Sequence, residues 1–189
     1  MDQLGEITRI MEYPSRIYLT GFMGCGKSHS GQLLARQIGY AFADLDDIFE
    51  QSVGGSIAAY FSRHGEAAFR QEEAKILRGT AVLARHVIAC GGGTPCFHGN
   101  MEWINAHGLS IYLKASPHLL AARLRPERAH RPLLRDIQDA ELENFIREKL
   151  AIRESFYEKA ALWFDQDQSG FADLKEALEY FLTSTGSHG

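Results

Sequence analysis

The stretch that most limits what this chain can fold into runs from residue 15 to residue 31, where Gly21, Gly26, Lys27 and Ser28 satisfy the spacing G-x-x-x-x-G-K-[ST]. That spacing carries weight only between a strand and a helix, and both are legible. Ile17, Tyr18, Leu19 and Thr20 have the β-branched, aromatic and apolar character of a short buried strand. Past the loop, Leu33, Leu34, Gln37 and Ile38 recur at helical spacing. A helix N-terminus leaves its first N–H groups unpaired and carries partial positive charge, which suits phosphate oxygens. Gly24 and Gly26 can take a positive φ and put no Cβ in the way. Lys27 adds a mobile cation for β and γ phosphates, and Ser28 offers a hydroxyl to Mg²⁺. The motif therefore predicts nucleotide binding, against the alternative of an ordinary glycine-rich turn.

Further along, Gly39 can end the first helix, and Ala41 to Leu45 reads as a second strand leading into Asp44-Leu-Asp46-Asp47. Carboxylates then arrive at a strand's carboxyl end, the edge where open α/β sheets bind ligands. If the strand continues through Asp46, Asp44 and Asp46 share one side of it, one facing a metal and the other a substrate hydroxyl. The competing reading has Asp46 or Asp47 capping a helix that begins near Ile48. Ser56 can cap a short helix, and Gly65 begins a longer one. There Arg70 lies on the stripe of Ala74, Leu77 and Ala81, a permanent cation among small and apolar side chains. Its anion is either Glu66 or Glu73 on the same helix, or a ligand carboxylate.

His86 to Ala89 reads as a third strand, followed by Cys90 and the glycines Gly91, Gly92 and Gly93, whose bare backbone a bound molecule can approach closely. Asn100 to His107 is expected to be helical and Leu109 to Leu113 a fourth strand, with Ser116-Pro117 opening the next helix. Between residues 123 and 135, Arg123, Arg125, Arg128, Arg131 and Arg135 face a single acid, Glu127. In a chain of net charge −4 with no aromatic interleaving, this basic run reads as a phosphate-covering lid and argues against nucleic acid. Asp139 to Ala160 forms a long helical pattern with Arg153 on its apolar stripe. Leu162 to Asp165 makes a fifth strand, and Phe171 to Leu182 a closing helix. Alternating strands and helices predict an α/β fold, three-layered, with a central parallel sheet of about five strands.

At 189 residues the chain is expected to be a single domain, with residues 1–14 as a leader and 184–189 as a flexible tail. No apolar run reaches the roughly 18 residues of a membrane span. The leader has no apolar signal-peptide core, and three cysteines, Cys25, Cys90 and Cys96, make no disulfide framework, so a cytoplasmic location is expected. Cys25 near a helix N-terminus is a candidate for a reactive thiol. Nothing suggests obligate dimerisation, and a monomer is the default.

Taken together, Gly21-Phe-Met-Gly-x-Gly-Lys27-Ser28, Asp44-x-Asp46, Phe69-Arg70, Gly91-Gly92-Gly93, Arg131-Pro132-Leu133-Leu134 and Arg153-x-x-x-Tyr157 closely resemble the shikimate kinase family in order and spacing, from about residue 15 to residue 160. The resemblance implies a P-loop fold similar to adenylate kinase with a mobile lid. It also implies ATP-dependent phosphorylation of the shikimate 3-hydroxyl on the way to chorismate and the aromatic amino acids. By the same resemblance, ATP lies on Gly24, Cys25, Gly26, Lys27, Ser28 and His29, with Arg123 near the adenine and Arg131 closing from the lid. Ser28 and Asp44 hold Mg²⁺, Asp46 orients and partly deprotonates the attacking hydroxyl, and Lys27 and Arg131 complete the catalytic set. Arg70 and Arg153 clamp the shikimate carboxylate above a floor of Gly91, Gly92 and Gly93. The chain departs from the family pattern at His29, where a second hydroxyl is frequent, at Ser155, where a proline is common, and in a lid one residue longer between Arg123 and Arg131. The alternatives are a related kinase acting on another hydroxy acid such as gluconate, and a non-catalytic nucleotide-binding regulator.

Overall fold

Ile17, Tyr18 and Leu19 are fully buried, as a strand must be when helices cover both faces of its sheet. They belong to β1 (Arg16–Thr20), the middle strand of a five-stranded, all-parallel sheet in the order β2-β3-β1-β4-β5. The other strands are β2 (Ala41–Asp44), β3 (His86–Ala89), β4 (Leu109–Lys114) and β5 (Leu162–Asp165). The computed structural model describes residues 12–128, 134, 137–168, 170 and 172–185. Among these, the helices are α1 (Lys27–Ile38), α2 (Leu45–Val53), α3 (Ile57–Gly79), α4 (Asn100–His107), α5 (Pro117–Leu124), α6 (Leu142–Tyr157) and α7 (Leu174–Thr185). The expected three-layer α/β architecture is present.

The register aligns the carboxyl ends of the strands. Leu19 pairs with Ala89 and with Ile111, and Asp44 pairs with Ala89. The segments that follow β1, β2 and β3 therefore leave the sheet at one level: the phosphate loop, the Asp44 to Asp46 corner and the triple glycine. Leu34, Leu77, Ile104, Leu120 and Ile146, one from each of five helices, are nearly or fully buried against the sheet. Each such side chain contributes roughly 1.5–3 kcal/mol by leaving water. No described helix is long and apolar enough to cross a membrane.

Several boundaries differ from the sequence expectation. β2 stops at Asp44, and the helix begins at Leu45, not near Ile48, so Asp44 and Asp46 do not share a strand face. Asp44 takes the N-cap position and accepts a hydrogen bond from Asp46 N, so the chain turns helical one residue before the second carboxylate. At Gly65, by contrast, the expectation holds: its φ of 79° is non-helical and divides α3 into the short and the longer helix expected on either side of it. The long helix is shorter than residues 139–160. The closing helix starts at Leu174 and runs to Thr185, which places 184 and 185 in a helix and not in a flexible tail. The end of the leader is docked: Tyr13 donates from its hydroxyl to Glu179 and stacks edge-on against Tyr40. Of the expected lid, Arg131 and Arg135 lie outside the described residues.

Candidate active site

Gly26 stands as the N-cap of α1 at φ 89°, a left-handed conformation that most side chains resist, and gives the helix no side-chain cap. The first N–H groups of α1 are thereby left to face an anion, with no acidic residue in the first turn to compete. Lys27 Nζ donates to Gly21 O and Phe22 O, both at 2.9 Å, so its ammonium is seated on carbonyls of its own loop. Ser28 Oγ donates to Asp44 Oδ2 at 2.6 Å while Asp44 Oδ1 caps α2. The helix cap is therefore Asp44, not the Asp46 or Asp47 that the sequence offered, and the same carboxylate accepts from Ser28. Ser28 and Asp44 supply hard oxygens suited to Mg²⁺, which is usually held by one or two carboxylates together with substrate phosphates. Consistent with that sparse donor set, the described residues contain no cluster of three or more metal-ligating side chains.

A cleft of about 600 Å³ opens over this loop, lined by residues 23–30 together with Asp44, Asp46, Cys90, Gly91, Gly92, Arg123, Glu127 and Gln166. Asp46 reaches it from the first turn of α2. Its carboxyl is raised from 3.8 to about 6, first by burial among neighbouring atoms and then by the Asp44 charge. Lys27 opposes the rise, and Glu73 and Asp47 add to it. Water still reaches the carboxylate from the mouth of the cleft. Burial pushes the Cys90 thiol up strongly and that of Cys96 to about 11, so neither is a ready thiolate. Cys25 is 1% exposed; its backbone carbonyl accepts from Gln166 Nε2 at 3.0 Å and from Arg123, and its Sγ accepts from Lys27 Nζ at 3.8 Å. Arg123 also donates to Gln166 Oε1 at 2.8 Å.

The three glycines hold the rest of the site together by lacking side chains. A Cβ on Gly91 would stand 2.9 Å from Asp46 Oδ1, and one on Gly93 2.7 Å from the Arg70 guanidinium. One on Gly92 would reach within 3.8 Å of Arg153 Nη1. Asp46, Arg70 and Arg153 come from three helices, and all three meet this one stretch of backbone. Arg153 lies over the Phe22 ring, 5.6 Å from its centroid, and the Tyr157 hydroxyl, one turn further along α6, donates to Gly92 O.

Arg70 has a protein partner as well. Its Nη1 donates to Glu73 Oε2 at 2.9 Å, and Glu73 is 5% exposed. Glu66 accepts from Nη2 at 3.5 Å and stands 3.4 Å from Nε, which is itself buried without a hydrogen bond. Glu73 Oε1 in turn accepts from Thr94 Oγ1 at 2.7 Å. Sequence alone did not single out Met23 and Gln166 in the cleft or Thr94 behind it, whereas Glu73 is one of the two same-helix partners it offered for Arg70. Glu73 was visible only as an i+3 acid beside Arg70. Gln166 is 141 residues from Cys25, and no local pattern marks it.

A family model described as shikimate kinase matches residues 23–182. A shikimate kinase of Parabacteroides distasonis is 40% identical over 171 residues, covering 88% of this chain and 99% of that protein. Among solved structures, the shikimate kinase of Bacteroides thetaiotaomicron superposes with a TM-score of 0.78 at 36% identity, over 92% of this chain and 97% of that one. That of Acinetobacter baumannii, solved in complex with shikimate, gives 0.76 at 29% identity, over 92% and 93%. A gluconokinase from Sinorhizobium meliloti gives 0.58 at 21% identity and shares the fold.

Proposed function

The chain belongs to the shikimate kinase family, an ATP-using phosphotransferase that phosphorylates shikimate, and from that premise we propose how its own residues divide the reaction. The observation that carries the assignment is the meeting of one carboxylate and two arginines over Gly91, Gly92 and Gly93. A cyclohexene ring bearing a carboxylate and hydroxyls fits this arrangement: acid bound at one end, reacting hydroxyl at the other. Arg70 and Arg153 hold the shikimate carboxylate by charge-assisted hydrogen bonds. Asp46 accepts a hydrogen bond from the 3-hydroxyl and takes its proton as the bond to phosphorus forms.

The nucleotide lies along the unpaired N–H groups of α1, on the backbone from Gly24 to His29, with Arg123 and Gln166 bordering its far end. Lys27 exchanges its two loop carbonyls for β- and γ-phosphate oxygens. Ser28 and Asp44 hold Mg²⁺, which when bound neutralises charge building on the phosphates. Transfer through a loose transition state asks mainly for alignment and charge compensation, so Asp46 needs only to orient and partly deprotonate. Arg131 is assigned from the lid by its place in the Arg131-Pro132-Leu133-Leu134 motif. The products are shikimate 3-phosphate and ADP. We further propose a single-domain, cytoplasmic monomer acting on the route to chorismate.

The test is release of ADP from Mg²⁺-ATP with shikimate, with gluconate and with no acceptor, measured side by side. Stimulation by shikimate alone is expected. Stimulation by gluconate alone, or by neither acid while ATP still binds, would overturn the substrate assignment.

A further inference from the structure

Arg70 is held in place before any ligand arrives, by Glu66, Phe69 and Glu73 of its own helix and by the turn that follows the triple glycine. The guanidinium lies 4.4 Å from the centroid of the Phe97 ring and 4.9 Å from that of Phe69. Phe69 is a core residue at 6% exposure. Phe97 is not: it is half-buried, and among the described residues it is not one of those packed against the hydrophobic cluster. An aromatic ring placed on a surface turn, away from the core and under a cation, points to a cation–π platform.

The same turn reaches Arg70 a second way. Thr94 is fully buried, and its hydroxyl donates to Glu73 Oε1, which leaves Oε2 for Arg70. A buried carboxylate is costly unless its oxygens are paired, and here both are. The turn is itself pinned. Thr94 N donates to Gly91 O and Cys96 N to Gly93 O, while Asn100, fully buried, donates from Nδ2 to Thr94 O and accepts from Arg78. Thr94 and Phe97 thus form the two contacts of one short, fixed turn with the guanidinium and its counter-ion.

We propose that Thr94 and Phe97 are positioning residues for the acid-binding end of the site: they hold Arg70 in the orientation that receives the substrate carboxylate. The proposal rests on the assignment of Arg70 to that carboxylate. An arginine side chain has many rotamers, and fixing it during folding removes that cost from substrate binding. Neither residue lines the cleft over the nucleotide loop, so the effect belongs to one substrate.

Steady-state kinetics on Phe97→Leu, Phe97→Tyr, Thr94→Val and Thr94→Ser, alone and with Arg70→Ala, test this. Expected for Phe97→Leu and Thr94→Val is a KM for shikimate raised roughly threefold to thirtyfold, with KM for ATP within twofold. Phe97→Tyr, which keeps the aromatic face, and Thr94→Ser, which keeps the hydroxyl, should restore most of it. In the Arg70→Ala background the first two changes should add nothing. If Arg70→Ala raises KM for shikimate but Phe97→Leu and Thr94→Val do not, the turn has no positioning role. Equal loss toward both substrates, or no rescue by the conservative variants, would mean that these residues only support the fold and would likewise overturn the proposal. If Arg70→Ala itself leaves KM for shikimate unchanged, the carboxylate assignment fails, and the proposal falls with it.

Discussion

Asp46 keeps its proton in the folded protein to a pH at which an unfolded chain has already lost it, since its carboxyl is raised from 3.8 to about 6 by burial and by the Asp44 charge. The folded state binds more protons between those values, so this group's contribution to stability is full below about pH 4 and declines as pH rises through about 6. Asp46→Asn should therefore raise the melting temperature of nucleotide-free protein at pH 7.5, by an amount worth about 1 kcal/mol once the water reaching the carboxylate is allowed for. At pH 4 the gain should vanish, and thermal melts at the two values check it. The same ionisation should make kcat/KM for shikimate fall below about pH 6 in the native enzyme. For the arginines, Arg70→Ala and Arg153→Ala should each raise KM for shikimate about tenfold to a hundredfold, the worth of a charge-assisted hydrogen bond. KM for ATP should barely move, and the reverse pattern in initial-rate measurements would relocate the carboxylate.

Among the elements, the loop from Gly91 to Gly93 is sensitive in a graded way. A Cβ on Gly93 meets the guanidinium of Arg70 at 2.7 Å, so Gly93→Ala must push that side chain off its platform. KM for shikimate should rise at least tenfold, while the circular dichroism spectrum and ATP affinity stay near wild type. How much of this was legible from sequence depended on how local each signal was. β3, α4 and β5 lie where composition and flanking punctuation placed them, because each boundary is written within a few residues. The Asp44 corner was misread because a carboxylate at the end of a strand and one capping a helix have the same sequence signature. Here one residue is both. Arg70 and Arg153 were identifiable as cations set in apolar stripes. The Glu73–Thr94 bond joins residues 21 apart, and the link from Gln166 to Cys25 joins residues 141 apart. Those pairings exist only once β3, β1, β4 and β5 are assembled in that order in the sheet, and no spacing rule encodes them.

For the molecule as a whole, the cleft over α1 couples nucleotide binding to global stability. The phosphate loop is flanked by β1 at the centre of the sheet and is tied to the far edge through Gln166, so a ligand on the loop braces segments distant in sequence. Mg²⁺-ATP at a hundred times its dissociation constant adds about 2.7 kcal/mol of apparent stability. For a chain of this size that should raise the melting temperature by about 5–10 °C. Scanning fluorimetry across an ATP titration measures it, and a flat response would deny the cleft its nucleotide.

With the substrate acid placed as proposed above, the floor of its pocket consists of backbone, and this bears on how the enzyme can respond to an inhibitor. Where a pocket is walled by side chains, point mutations can resculpt it while leaving the substrate room. At Gly91 and Gly93 every possible replacement carries a Cβ, and that carbon collides with Asp46 or with Arg70. A compound that draws its affinity from this strip of bare peptide would rest on a surface with no silent variants, and resistance would have to arise elsewhere.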